Sequence, residues 1–251
     1  MCNTCGCNIT PGNRPLVMAE KPKNGVTTVS VLQNLLSQNN HQAEHNRAHF
    51  DAQKVLVINL MSSPGSGKTS LLEATIKRLR DSLKIAVIEG DLETENDTKR
   101  IQAQGVPAYQ ITTGTACHLD AHLVHNALHH MPLDDLDLLF IENVGNLVCP
   151  AEFNIGEDSK AVVLSITEGD DKPLKYPLIF KESAIAILNK VDLLPYTNFD
   201  MAAAKNDSTS IHPQINVLEV SCQNETGLLA WYDWLRSETA AKKALCTEEK
   251  I

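Results

Sequence analysis

The chain has 251 residues, 43% hydrophobic and 21% charged, with 22 Lys and Arg against 31 Asp and Glu for a formal net charge of −9. This suits one large soluble domain with appendages, and the acidic balance excludes a general nucleic-acid binder, which needs clustered cations to neutralise phosphates. No apolar run approaches the roughly 20 residues of a membrane helix, and the first residues lack the apolar stretch of a secretory signal, so the expectation is a cytoplasmic protein without a membrane span.

The first ten residues, MCNTCGCNIT, place Cys2, Cys5 and Cys7 close together. Seven cysteines cannot all pair, and a reducing compartment disfavours disulfides, which leaves metal binding or redox chemistry. Thiolates at Cys-x-x-Cys-x-Cys spacing suit a soft or borderline ion such as Zn²⁺, Ni²⁺ or Cu(I), with the terminal amine as a candidate fourth ligand; the competing account is a tail that merely contains cysteines. From Asn8 to about Asn46 the text is polar and turn-rich, and only Val29 to Leu36 looks helical. Residues 1–50 therefore read as an N-terminal arm and linker before a domain spanning 51–251. His41, His45 and His49 would share one face of a helix at i, i+4, i+8, which is read as a solvated face.

The domain opens with "KVLVINLM" (Lys54 to Met61), a short, almost continuous apolar run of the kind a strand buried on both faces requires. "SSPGSGKTS" follows, and Ser70 to Leu79 has helical periodicity. The motif fits G-x-x-x-x-G-K-[ST] with Ser62 in the first glycine place, so Ser63, Pro64, Gly65, Ser66, Gly67, Lys68, Thr69 and Ser70 are the expected phosphate-binding set. Backbone N–H groups and the helix N-terminus favour the anion, Lys68 reaches the β- and γ-phosphates, and the Thr69 hydroxyl binds Mg²⁺. Serine at 62 raises a conformational question, because glycine tolerates φ values that serine resists.

A second strand from Lys84 ends in "IEGD" at Asp91, and a helical stretch carries Glu95, Asp97, Lys99 and Arg100. A strand over Pro107 to Thr112 precedes a helix expected over Ala116 to His130. On it His118, His122, His125 and His129 recur at i, i+4, i+7 and i+11; Cys117 and His118 are read as metal ligands and the later histidines as a wet face. "DLLFIENVG" (Asp137 to Gly145) is a strand whose Glu142 stands in the D-x-x-G place of GTPases, with Cys149 just beyond. Lys68, Asp91 and Glu142 are the candidate catalytic groups, and Thr69, Asp91 and Glu142 the candidate Mg²⁺ ligands. A thiolate at 149 in the segment that senses the γ-phosphate would couple a Cys117, His118, Cys149 site for Ni²⁺ or Zn²⁺ to nucleotide state.

Strands over Ala161 to Thr167, Ala184 to Leu188 and Ile215 to Ser221, then a helix from about Gly227 to Lys243, complete the alternation. The "NKVD" at Asn189 to Asp192 looks like the guanine-recognition motif: Asp192 accepts from guanine N1 and the 2-amino group, which adenine cannot supply. Ser221, in "SCQNETG", occupies the place of a further base-contacting loop. Strands alternating with helices predict an α/β fold, a mainly parallel sheet with helices on both faces, with ligands at the carboxyl ends of its strands.

As an ordered set, "CNTCGC", "SSPGSGKT", "TGTACHLDAHLV", "FIENVGNLVCPAEF", "TEGDDKPLKYP" and "NKVD" resemble the hydrogenase nickel-incorporation GTPases, the HypB family of the SIMIBI class. The resemblance implies GTP hydrolysis to GDP with Lys68 and Thr69 at the phosphates and Asn189, Lys190 and Asp192 at guanine. It also implies a Ni²⁺ or Zn²⁺ site of Cys117, His118 and Cys149 at a GTP-promoted homodimer interface, and an N-terminal nickel motif of Cys2, Cys5 and Cys7 that only some members carry. The partners implied are other maturation proteins, including a HypA-type nickel chaperone, and the hydrogenase large subunit. The chain departs from the pattern at Ser62 and in lacking a long histidine-rich storage run. A nickel- or zinc-storage protein with weak GTPase activity, or a chaperone for urease, are the competing readings.

Overall fold

The computed structural model describes residues 28–91 and 96–248, with side-chain surroundings from 34 to 245; Cys2, Cys5 and Cys7 lie outside the described residues. Seven strands form one sheet: β1 (Leu56–Ser62), β2 (Ile85–Asp91), β3 (Ala108–Thr112), β4 (Leu138–Glu142), β5 (Ser159–Ser165), β6 (Ile185–Asn189) and β7 (Asn216–Val220). Their order is β3-β2-β4-β1-β5-β6-β7 and every neighbouring pair is parallel. β1, β4 and β6 are buried along their whole length, which is why they read as largely apolar runs, with Asn59 the one polar residue in their interior.

Helices cover both faces, in chain order α1 (Thr28–Gln53), α2 (Lys68–Leu79), α3 (Asn96–Gln102), α4 (Ala121–Leu128), α5 (Cys149–Glu152), α6 (Lys172–Lys175), α7 (Pro177–Glu182), α8 (Met201–Ile211) and α9 (Leu228–Glu248). Alternate residues of β1 separate the layers: Leu56, Ile58 and Leu60 meet α2 and the Trp231 of α9, whereas Val57 joins Phe50 of α1 and Leu123 and Val124 of α4. Met61 joins a third cluster with Ile179 and Phe180 of α7. The Trp231 indole is fully buried and its Nε1 donates to Thr75 Oγ1 at 2.9 Å, so the large apolar ring carries no unpaired N–H.

Two expectations change. The helix expected only over Val29 to Leu36 runs unbroken to Gln53, through the 50/51 boundary, and lies against α4. Its buried side is Leu35, Asn39, Ala43, Asn46 and Phe50, at helical spacing with asparagines in two places. Asn39 donates to Asn154 O (2.7 Å) and accepts from Ala121 N (2.9 Å); Asn46 donates to Ala121 O (2.8 Å) and Ile155 O (3.1 Å). The helix expected over Ala116 to His130 begins only at Ala121. Asp120 caps it, accepting from Leu123 N at 2.8 Å, so Cys117 and His118 lie on the preceding loop and His118 is off the histidine stripe.

Candidate functional site

β1 ends at Ser62 and α2 starts at Lys68, so residues 63–67 form the turn between a buried strand and a helix N-terminus. Gly67 has φ 95°, and a Cβ there would stand 2.6 Å from Asn189 Nδ2, so the position requires glycine twice over. Ser62 answers its conformational question by belonging to β1, with none of the positive φ that would favour glycine. Its hydroxyl accepts from Lys68 Nζ at 2.8 Å and donates to Ser63 O at 2.5 Å. Serine here gives the lysine a polar partner that glycine would not.

The loop borders a cleft of about 450 Å³ lined also by Glu89, Asp91, Asp97, Arg100 and Glu142. Thr69 Oγ1 donates to Glu142 Oε1 at 3.0 Å, and Lys68 Nζ lies 4.0 Å from the same oxygen; Glu142 Oε2 is buried without a hydrogen-bond partner. Burial pushes the Glu142 carboxyl up to about 7 against the pull of Lys68, and burial lowers Lys68 despite Glu142. Glu89, paired in register with Glu142 on the adjacent strand, is also raised to about 7 by burial, with Thr98 donating to it. Glu89 belongs to no motif, and its one signal in the sequence is a carboxylate inside the apolar run "KIAVIEGD". Glu168, likewise outside the expected site residues, accepts at Oε1 from Ser66 Oγ at 2.6 Å. The orphaned Glu142 oxygen beside the Thr69 hydroxyl is a hard-oxygen donor set that fits Mg²⁺, and Asp91 at the end of β2 lines the same cleft.

On the other side of the loop, β6 delivers Asn189. Its Nδ2 donates to Ser66 O at 2.8 Å and its Oδ1 accepts from Lys190 N at 2.8 Å. Lys190, at φ 64°, extends its ammonium to Gly65 O at 2.7 Å. Asp192 accepts from Ser221 Oγ at 2.5 Å, so the two stretches named from sequence, 29 residues apart, meet.

The ligand atoms of Cys117, His118 and Cys149 all lie within 4.8 Å of one another. The two sulfurs are 3.3 Å apart as reduced thiols, and His118 Nδ1 is 3.8 Å from the Cys117 sulfur. His118 is fully buried against Phe153, its Nε2 has no hydrogen-bond partner, and burial lowers it to about 4, keeping the imidazole neutral. Burial, then the Cys117 sulfur, pushes the Cys149 thiol up to about 12, so a metal bound here would displace a proton. Two sulfurs and an orphaned neutral imidazole suit a borderline ion such as Ni²⁺ or Zn²⁺.

The segment leaving β4 joins the two places. Gly145 passes so close to the phosphate loop that a Cβ would meet Pro64 N at 2.9 Å. Asn143 Oδ1 accepts from Leu119 N at 3.0 Å, and Asn146 Nδ2 donates to Cys117 O at 3.3 Å while its Oδ1 accepts from Val148 N at 2.9 Å. Cys149 in the thiol set thus follows Glu142 in the cleft by seven positions.

The family model described as CobW/HypB/UreG, nucleotide-binding domain, matches residues 56–219. The hydrogenase maturation factor HypB of Escherichia coli K12 is 53% identical over 207 residues, covering 82% of this chain and 71% of that protein. The chain belongs to the HypB family. Another relative, named as the hydrogenase/urease maturation factor HypB of Helicobacter hepaticus, is 39% identical over 227 residues, 89% of this chain and 93% of that protein. Among solved structures, HypB from Helicobacter pylori in complex with nickel superposes with a TM-score of 0.78 at 38% identity, covering 81% of this chain and 96% of that one. The parallel sheet and phosphate loop are those of this family of P-loop proteins, and among the described residues no helix is long and apolar enough to cross a membrane.

Proposed function

We propose that the chain is a GTP-hydrolysing metallochaperone that holds nickel and assists its insertion into [NiFe]-hydrogenase during maturation. The observation that carries the reading is the direct run of chain from Glu142, bonded to Thr69, to Cys149, against Cys117. In GTP hydrolysis water attacks the γ-phosphorus, the bond to the β-γ bridging oxygen breaks, and GDP and phosphate leave. Lys68 exchanges Ser62 for phosphate oxygens, Asp192, held by Ser221, accepts the guanine N–H groups, and Asn189 and Lys190 brace the loop from its base side. Mg²⁺, when held by Thr69, Glu142 and Asp91, supplies neutralisation of the β- and γ-phosphate charge.

Loss of the γ-phosphate releases the segment after β4 and, through Asn146, alters the hold of Cys117, His118 and Cys149 on Ni²⁺ or Zn²⁺. Val148, 44% exposed beside Cys149, is an apolar contact suited to a homodimer promoted by GTP or metal that buries the metal site. Within the cell, other maturation proteins such as a HypA-type chaperone and the hydrogenase large subunit are the partners, Cys2, Cys5 and Cys7 supply a further nickel site, and the location is the cytoplasm. The test is Ni²⁺ affinity and molecular mass of the reduced protein with GDP and with a non-hydrolysable GTP analogue. A nucleotide-dependent affinity and a heavier GTP form support the reading; identical values in both states turn it towards storage. The name of the Helicobacter hepaticus relative favours urease as a second client. Assay of hydrogenase and urease in a complemented deletion strain separates the two.

A further inference from the structure

Two histidine runs about 80 residues apart in sequence meet in space. His45 and His49 of α1, His125 of α4 and His129 at its C-cap, four of the nine histidines in the chain, form a continuous patch where the helices touch. Ring centroids lie 4.6 Å apart for His45 and His49, 5.2 Å for His45 and His125, 6.1 Å for His49 and His125, and 5.2 Å for His125 and His129. Each pair is spaced i, i+4 on its helix, the spacing at which two side chains share a face. Neither run was informative alone, because three histidines on a wet helix need no explanation.

We infer that this α1/α4 patch is a further metal site, an all-imidazole set for a divalent borderline ion such as Ni²⁺ or Zn²⁺, separate from the thiol set. The deciding contact is His125 Nδ1 to Asn46 Oδ1 at 3.2 Å. The Asn46 amide nitrogen is committed to Ala121 O and Ile155 O, so its oxygen points at the ring and can only accept. His125 therefore carries its proton on Nδ1, and Nε2 keeps the lone pair a metal needs. Anchoring one ring nitrogen on a carbonyl so that the other faces a metal is how proteins orient ligating histidines. The charge balance agrees: burial, then the neighbouring histidines with His45 foremost, lowers the His125 pKa, which favours the neutral ring. Four imidazoles in contact repel when protonated, whereas a divalent ion among neutral rings turns the same crowding into coordination.

The rings meet edge to face, so binding needs rotation of the exposed His45, His49 and His129 around the fixed His125. With no thiolate, the set favours Ni²⁺, Zn²⁺ or Cu²⁺ over Cu(I). A metal here would also pin α1 to α4, the helix that begins just after Cys117 and His118. The inference does not rest on GTP hydrolysis or on the thiol set.

The test compares the full-length reduced protein with the triple variant His45→Gln/His49→Gln/His129→Gln, which leaves His125 on Asn46. Ni²⁺ and Zn²⁺ are each titrated in competition with a colorimetric chelator. The expected result is loss of one bound equivalent, with thiolate-to-nickel charge-transfer absorbance and GTP turnover unchanged. Metal should also slow amide exchange in α1 of the wild type and not of the variant. Equal stoichiometry and affinity in the two proteins would overturn the inference. If the triple variant unfolds, His129→Gln alone must bind the extra equivalent at least about tenfold more weakly, or the site does not exist. Failure of the thiol-set reading shows separately, as Cys117→Ala leaving the charge-transfer band intact.

Discussion

The phosphate cleft and the thiol set are seven residues apart along the chain, yet their polar atoms are differently occupied. In the cleft most partners are already in place, Lys68 on Ser62, Thr69 on Glu142, Asn189 on Ser66 O and Lys190 on Gly65 O, although Glu142 Oε2 is left unpaired. In the thiol set two sulfurs face each other and the buried His118 Nε2 has nothing to bond. A nucleotide must therefore exchange contacts, whereas a metal fills a gap. Exchange displaces side chains that now hold the loop, so the cleft is the side from which a signal would start.

Four substitutions break or sharpen this contrast. Lys68→Ala should have the largest effect, lowering GTP turnover on the order of 10²- to 10³-fold while nickel affinity in GDP stays within about twofold. Single-turnover hydrolysis and chelator competition measure the two arms. Cys149→Ser should do the reverse, weakening Ni²⁺ roughly 10- to 100-fold with turnover nearly intact, since it removes a sulfur and leaves the cleft untouched. If turnover falls equally, the two regions are one site.

Asn146→Ala addresses the link. Both activities should persist, but the ratio of nickel affinities between the GTP-analogue and GDP forms, ordinarily about 5- to 150-fold in coupled systems, should fall towards 1. The smallest effect is expected from Glu89→Gln. Its folded pKa, about 7, lies above its ordinary value of 4.5, so the stability it affects is fully present below about pH 4.5 and is lost as pH rises through 7. Glutamine cannot ionise, so the nucleotide-free variant should be more stable than wild type at pH 8 by on the order of 1 kcal/mol, with the gap closing at pH 5. Thermal melts at the two pH values read this. A constant gap would mean that the carboxylate is not under the strain its burial implies.

The sheet was legible because a strand buried on both faces has to be mostly apolar, and β1, β4 and β6 are, with Asn59 the one polar residue inside them and Ser62, Glu142 and Asn189 at their carboxyl ends. The phosphate turn was legible because Gly67 and Lys68 sit where a strand gives way to a helix. Meeting of Cys117 with Cys149 was expected from chemistry, and the loop conformation of Cys117 and His118 was not, because the capping by Asp120 competes with a helical pattern that continues through it. α1 was largely hidden. Its anchors include Asn39 and Asn46, which hold by hydrogen bonds to the backbone of other segments, and hydrophobic periodicity does not register such anchors. The histidine patch was hidden for the same reason, since it exists only once α1 is docked.

The position of β1 has a consequence for synthesis. It lies in the middle of the sheet, between β4 and β5, and carries the turn on which the cleft is built. Its residues pair with Leu138 onward on one side and Ser159 onward on the other, about 80 and 100 residues later in the chain, which at ~5–20 residues per second is several seconds of translation. Through that interval a strand made for burial on both faces has two uncovered edges. The element that organises the cleft is begun early and finished late, so the sheet around it cannot be complete until well over half of the chain has been made.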